Sequence, residues 1–362
     1  MSDLTIGLLG ALLATNQPLA VSNVIQQQTG LAIEVAADPV AQELREVMLA
    51  DDAAQDEVSG WLHAFEAQPP AAKTKAASEE LNRRIHERFD LVRARYNLFL
   101  KNHPDNARGC LAFGSFLNEI GDEEGARAQF ENSRQLDPKN PAVWNNLANY
   151  YSEHSPVTKA FADYAEAIKL KPDESVYYQN FATTVYLFRK DAREYFHLDD
   201  QQVFDKATGL YRQAMQLAPD NFVLATDYAE SYYGIKPLRT NAALAAWTNA
   251  LTIARTDAER QGVQLHLARV KIAAGIFEQA SNHLAAVTND AYLDLKKQLL
   301  RSLADRQNPP TNVVKNMATN LPAAVTPATV AATNIIFAST NILDLSSNLL
   351  VAPPALREPK TP

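Results

Sequence analysis

Seven histidines and one cysteine are the residues of this chain best suited to nucleophilic, acid–base or metal chemistry. None of the histidines stands at metal-ligand spacing from a cysteine, aspartate or glutamate, and Cys110 is paired with no histidine by a known motif. The chain also lacks a glycine-rich phosphate-binding loop and a Gly-x-Ser-x-Gly nucleophile turn. The sequence therefore predicts a protein that is not an enzyme, with no metal site and no cofactor.

Four prolines mark out the structural elements of the chain. Pro104, Pro138 and Pro172 follow one another at a step of 34 residues, and Pro219 comes 13 residues late. Small and aromatic residues recur in register with this step, which predicts pairs of antiparallel helices that cross closely at the small residues. The residues assigned to this packing are Ala126, Pro138, Trp144, Leu147, Ala148, Tyr151, Ala160, Tyr164, Pro172 and Pro219.

The step and the packing residues resemble tetratricopeptide repeats (TPRs) over roughly residues 88 to 290. The resemblance implies an all-α fold, a TPR-type α-solenoid of antiparallel helix pairs. About five repeats are expected, with an insertion between the two helices of the third. The expected segments are an apolar N-terminal segment at 1–35, a helical cap and half repeat at 36–106, the solenoid and its capping helix at 107–306, the insertion at 188–200, and an Ala/Thr/Asn/Pro-rich tail with a heptad period at 307–362.

The insertion and the two terminal segments each leave two interpretations open. Residues 188–200 are either a partner contact or a staple in which Tyr195 and Phe196 hold a longer helix pair together. The heptad period of the tail fits a docking segment, whereas its composition fits a disordered linker. The N-terminal segment has no basic residue before its apolar stretch, which favours docking on the solenoid or a partner over an export signal. A cytoplasmic location is expected, with export as the alternative.

The net charge of -8 argues against a general nucleic-acid or anionic-membrane surface, since both need excess basic residues. Residues 34–66 hold nine acidic and one basic side chain, whereas residues 73–108 hold nine basic and five acidic ones. The two stretches are expected to be helices that attract each other. Within the repeats, Cys110 is expected to be buried apolar filler, and His103 a solvated turn histidine.

In TPR proteins the first helix of each pair lines a groove that holds peptides or partner helices, so the resemblance implies such a groove here. Its lining would be polar and rich in amides, which both donate to and accept from a peptide backbone. As an alternative, Asn146 and Asn180 satisfy backbone groups between helices. The groove residues implied by repeat position include Asn145, Asn149, Gln179, Asn180, Thr183, Tyr186, Asp227, Glu230, Tyr233, His266 and Arg269.

The function expected from these features is a non-catalytic protein–protein interaction scaffold that binds an extended peptide or a helix of a partner in the groove. Some TPR proteins grip a C-terminal carboxylate through a Lys/Asn/Arg clamp, but Leu111 stands where the first lysine of that clamp would be. The alternative is a structural protein that self-associates through its N-terminal segment or its tail into an oligomer or polymer. Partners are expected to be proteins or peptides, with no nucleic acid and no stable membrane insertion.

Overall fold

The computed structural model describes residues 38–308, which are helical apart from short turns. These residues belong to two compact units, an N-terminal unit at 38–170 and a C-terminal unit at 171–308. The expectations for the apolar segment 1–35 and for the heptad period of the tail concern residues outside the described part of the chain.

The N-terminal unit consists of three antiparallel helix pairs in chain order. The first pair is separated by a turn at Pro69 and Pro70, as the prolines predict. The next two pairs are the repeats that the 34-residue step predicts. The helices are α1 (Pro39–Glu66), α2 (Lys75–Asn102), α3 (Ala107–Glu119), α4 (Glu123–Leu136), α5 (Pro141–Glu153) and α6 (Thr158–Leu170).

Side-chain caps fix where the helices of the N-terminal unit begin. The Asn106 side chain accepts a hydrogen bond of 2.8 Å from the Gly109 N–H at the start of α3. Asp122 does the same for Gly125 at the start of α4, over 3.1 Å. Each cap satisfies an N–H that has no partner within its helix, so these short polar residues set the repeat boundaries.

Small residues sit where the paired helices cross. A Cβ placed on Gly114 of α3 would lie 2.6 Å from the Phe130 ring of α4 and 3.2 Å from the Ala126 carbonyl oxygen. In the next pair, Ala160 of α6 has no exposed surface. The backbones approach too closely for a larger side chain, which is the reason the repeat requires small residues at these positions.

The α1–α2 pair is joined by the opposite charges that the sequence places there. The Arg88 guanidinium contacts the Glu57 carboxylate at 2.8 Å, and His103 Nε2 lies 2.8 Å from Glu43 Oε2. The expected attraction between the two stretches is therefore present. The expectation for His103 was wrong, because its half-buried ring also packs against Phe99 in place of standing in solvent.

The C-terminal unit contains three further helix pairs and a final helix. The insertion supplies a short helix, α8, between the two helices of the first pair, and α14 packs on the last pair. The helices are α7 (Ser175–Leu187), α8 (Arg189–Phe196), α9 (Asp200–Leu217), α10 (Phe222–Ser231), α11 (Thr240–Ile253), α12 (Asp257–Ala273), α13 (Phe277–Ala285) and α14 (Leu293–Gln307).

The core of the C-terminal unit again combines aromatic and small residues. Trp247 of α11 is 1% exposed and packs with Ala229, Ala243 and Leu267. Capping boxes at Asp199 and Thr256, together with the single turn Tyr232–Gly234 after α10, set the lengths of the paired helices. The expected all-α fold of TPR-type antiparallel helix pairs is thus confirmed.

One packing assignment needs correction. Trp144 is only partly buried, and its indole Nε1 donates a hydrogen bond of 2.8 Å to the Pro138 carbonyl oxygen six residues earlier. Tyr178, one 34-residue step later, donates to the Pro172 carbonyl oxygen in the same way over 3.0 Å. The aromatic at this position ties each first helix to the preceding proline turn, because a polar tip on an apolar ring suits the half-buried edge of a repeat.

Candidate functional site

Eight of the predicted groove residues lie together on the first helices of the C-terminal unit. They follow helical spacing on α7, on α10 with its following turn, and on α12, so the members of each helix share one side of it. We call this surface the first-helix face. Its residues are Gln179, Thr183, Tyr186, Asp227, Glu230, Tyr233, His266 and Arg269.

Two hydrogen bonds hold the α7 side of this face in place. Nε2 of Gln179 donates to Oδ2 of Asp227 over 2.8 Å, which joins α7 to α10. The hydroxyls of Thr183 and Tyr211 lie 2.8 Å apart, which joins α7 to its pair partner α9. Because both bonds link different helices, the polar side chains of this part of the face are positioned before any ligand arrives.

A layered stack supports the α12 side of the face. His266 lies over the buried Trp247 ring with 4.1 Å between centroids, and the Tyr233 hydroxyl is 2.9 Å from His266 Nδ1. The Arg269 guanidinium lies 4.3 Å from the centroid of the Tyr233 ring, in cation–π geometry. Burial and the nearby Arg269 lower the pKa of His266 to about 3, so its ring is neutral near pH 7.

The two carboxyl groups of the face titrate near neutral pH. Burial raises the pKa of Asp227 to about 6, against the opposing effect of the Gln179 hydrogen bond. Burial and the charge of Asp227 raise the pKa of Glu230 to about 7, although Arg269 acts in the opposite direction. One helical turn separates the two groups, so near neutrality the ionised form of each disfavours that of the other.

The side chains of Glu230 and Arg269 act on each other electrostatically but do not form an ion pair. Neither side chain has an ion pair or a hydrogen bond with any residue between 38 and 308. Arg269 is exposed, and Glu230 is half-buried. The face therefore presents, on α10, a carboxyl group that titrates near pH 7 and, on α12, a guanidinium cation, with no ion pair between them.

The predicted asparagines are less open than the face. Asn145 of α5 is 3% exposed, and its amide lies 3.4 Å from the Asn146 side-chain oxygen. Oδ1 of Asn149 accepts a hydrogen bond of 2.7 Å from the Tyr164 hydroxyl of α6. Asn180 of α7 is half-buried. The burial of Asn145 and the interhelical bond of Asn149 argue for a structural contribution of both, and their contact with a peptide stays a prediction.

The insertion packs as a helix on its own repeat. Ala192 of α8 has no exposed surface, Phe196 lies 6.2 Å from the Phe181 ring, and the Lys206 ammonium lies 4.1 Å from the centroid of the Phe196 ring. Tyr195 is 41% exposed. These contacts favour the staple interpretation for Phe196 and leave Tyr195 on the surface.

Residues 38–308 contain no group of three or more side chains of His, Cys, Asp and Glu placed to hold a metal ion. No helix in the same range is long and apolar enough to cross a membrane.

One buried acidic group was missed by sequence reasoning. It consists of Asp51 and Asp52 of α1 and Glu119 of α3. The charge of Asp52 raises the pKa of Asp51, and the charges of both aspartates raise the pKa of Glu119. The Tyr96 hydroxyl donates a hydrogen bond of 2.9 Å to Asp51. Their separation along the chain left no local pattern by which to find them.

The helix pairs, their step and the small residues at their crossings define a fold of TPR-type helix pairs. No family model matches the chain, and no curated protein matches it. Among solved structures, PilW, a type IV pilus biogenesis factor, is 13% identical, with a TM-score of 0.47 and coverage of 65% of this chain and all of that one (100%). YrrB, a TPR protein with an unusual peptide-binding site, is 11% identical, with a TM-score of 0.44 and coverage of 59% and 97%. MamA is 20% identical, with a TM-score of 0.39 and coverage of 48% and 92%.

Proposed function

We propose that this protein is a non-catalytic scaffold that binds an extended segment of a partner protein on the first-helix face. The observation that carries the proposal is the combination on one surface of fixed hydrogen-bonding side chains with the Glu230 carboxyl group and the Arg269 guanidinium, neither of which is in an ion pair. An extended peptide offers an N–H or a carbonyl oxygen at almost every residue, and so it can use such a surface along its length.

The support on each side of the face lowers the entropy lost on binding. Gln179 and Thr183 are already held by Asp227 and Tyr211, and Tyr233 is held by His266. Side chains that are ordered before binding lose less rotamer freedom when a ligand arrives, and each immobilised side chain otherwise costs about 0.5–1.5 kcal/mol. A polar ladder of this kind suits main-chain recognition with moderate affinity.

The proposal is tested by selecting binders from a random peptide display library on the full chain. The enriched peptides are then measured by fluorescence anisotropy against a variant carrying Gln179→Ala and Arg269→Ala. We expect their affinity to fall by at least about tenfold, which corresponds to about 1.4 kcal/mol. Melting curves establish that the variant is folded.

A matched control carries Gln213→Ala and Gln216→Ala, two exposed side chains on the second helix α9. Its affinity for the same peptides should equal that of the unchanged chain. Equal affinity for the first-helix variant, loss of affinity in the α9 control, or failure to enrich any peptide would each contradict the proposal.

A further inference from the structure

The charges on the first-helix face are arranged in a fixed order across two helices. Asp227 and Glu230 lie on α10, and Tyr233 follows Glu230 by three residues. Arg269 projects from α12 over the ring of Tyr233. The guanidinium is near enough to act on the Glu230 carboxyl electrostatically, yet the two groups form no ion pair. The two groups therefore act on each other without a direct contact.

In other parts of the protein, groups of opposite charge do make direct contact. Arg88 contacts Glu57, and Arg193 contacts Asp200 at 3.1 Å. At the face, the cation–π contact with Tyr233 holds the Arg269 guanidinium in place. Burial disfavours the ionised form of the α10 carboxyl groups, which weakens their attraction for Arg269. A ligand that supplies both a cation and an anion would pair both groups at once.

We propose that the partner segment carries a lysine or arginine two residues away from an aspartate or glutamate, the cation contacting Glu230 and Asp227 and the carboxylate contacting Arg269. This inference rests on the proposed function. Its basis is charge complementarity with the α10 carboxyl groups and the α12 guanidinium, which form no ion pair with each other. A cation bound beside Glu230 would favour the ionised form of its carboxyl group.

The spacing follows from the geometry of an extended chain. Tyr233 joins α12 to the turn after α10, because its hydroxyl lies 2.9 Å from His266 Nδ1 and the Arg269 guanidinium lies 4.3 Å from its ring centroid. The charged groups of the two helices therefore lie around one tyrosine side chain. Residues i and i+2 of an extended chain point to the same side and are separated by ~7 Å. Neighbouring residues i and i+1 point to opposite sides, so one of their side chains would face away from the protein.

Because the face carries groups of both signs, a partner segment whose charges are all of one sign would bind less tightly. A segment with two basic residues would place one of them beside Arg269, and a segment with two acidic residues would place one beside Glu230 and Asp227. Like charges held close together oppose binding and thereby exclude wrong partners. Selectivity would come from this repulsion as much as from the matched pairs.

The test uses one peptide background, taken from the enriched pool of the display selection, with four versions of a charged pair. The versions are Lys-x-Asp, Asp-x-Lys, Lys-x-Lys and Asp-x-Asp. For the unchanged chain we expect one of the two mixed peptides to bind about tenfold more tightly than either peptide of uniform charge. Which mixed order wins gives the direction of the bound segment.

Charge reversals then assign each contact. Glu230→Lys should shift the preference to Asp-x-Asp, and Arg269→Glu should shift it to Lys-x-Lys. The control reverses two exposed charges away from the face, Asp220→Lys and Arg301→Glu, and should keep the original preference, which excludes an effect of net charge. All variants are checked by melting curves, and an affinity ratio between peptides is insensitive to a small unfolded fraction.

The outcomes separate this inference from the proposed function. Tight binding with no preference among the four peptides, or a preference that the reversals leave unchanged, would overturn the charged-pair inference while the peptide-binding face stands. Absence of any enriched peptide, or binding unaffected by Gln179→Ala with Arg269→Ala, would overturn both.

Discussion

The side-chain amide of Gln179 donates a hydrogen bond of 2.8 Å to the carboxyl group of Asp227, joining the first helices of two successive repeats. The carboxyl lies in a desolvated position, which raises its pKa from 3.8 to about 6. The folded protein therefore holds this proton more tightly than the unfolded chain does. It follows that ionising Asp227 lowers the free energy of unfolding as the pH rises from about 4 to above 6.

Asp227→Asn should remove this pH-dependent loss. The amide oxygen still accepts from Gln179, and no charge is left to desolvate. We expect the free energy of unfolding at pH 8 to exceed that of the unchanged chain by about 1–2 kcal/mol, with a smaller gain at pH 5. Urea denaturation at the two pH values measures the difference. A variant that loses more stability at pH 8 than at pH 5 would show that the ionised carboxylate is stabilised by the fold.

The buried acidic group of the N-terminal unit should make that unit weaker in alkaline solution. Burial raises the pKa of Asp51 to about 7, and burial with the neighbouring aspartates raises that of Glu119 to about 8. Both pKa values lie above those of the unfolded chain, so the free energy of unfolding declines as the pH rises from about 4 to about 8. Tyr96 and Gln55 donate to these carboxyls, and so they moderate the effect without cancelling it.

Glu119→Gln keeps an oxygen that can accept from Gln55 and removes the charge. At about pH 8.5 we expect the free energy of unfolding of this variant to exceed that of the unchanged chain by about 1–3 kcal/mol, and by much less near pH 5. Thermal melts across this range, followed by circular dichroism, report the change. If stability depended on pH in the same way in the variant and in the unchanged chain, Glu119 would not titrate between about pH 5 and 8.5.

The close crossing of α3 and α4 should not accept one added methyl group. Gly114→Ala would place its Cβ 2.6 Å from the Phe130 ring, and overpacking of this kind costs about 1–3 kcal/mol. Gly60 of α1 is a matched control, since nothing lies within 4 Å of its Cβ position. There the same substitution should stabilise the helix by about 0.5–1 kcal/mol. Chemical denaturation compares the two variants, and equal effects at both sites would refute the crossing geometry.

The insertion helix offers a pair of adjacent aromatics with different environments. Phe196→Ala should lower stability by about 1–3 kcal/mol, because the ring packs between Phe181 and Lys206. Tyr195→Ala should change stability by less than about 0.5 kcal/mol, because that ring is exposed. A melt of each variant distinguishes them. The opposite order would assign the staple to Tyr195 and leave Phe196 as a surface residue.

The sequence period predicted the helix pairs because each repeat contains, within its own stretch of sequence, the small residues at which its two helices cross. Ala160, Tyr164 and Ala126 are buried where the step places them. The same step put eight polar residues on one face of the C-terminal unit. What it could not predict depends on contacts between residues distant in the sequence: Gln55 donates to Glu119 across 64 positions, and Gln179 donates to the desolvated Asp227 across 48. Trp144 was assigned to packing because its ring type fits, but its Nε1 needed a carbonyl partner at the repeat edge.

We expect a partner segment to lie on the first helices of the C-terminal unit. The most direct test of this position is photo-crosslinking of an enriched peptide to the full chain, with the photoreactive amino acid placed at Thr183 on α7 or at Gln213 on α9. We expect a peptide adduct from position 183 that unlabelled peptide competes away, and none from position 213. Adducts from position 213 with none from position 183 would place the peptide on the second helices and contradict it.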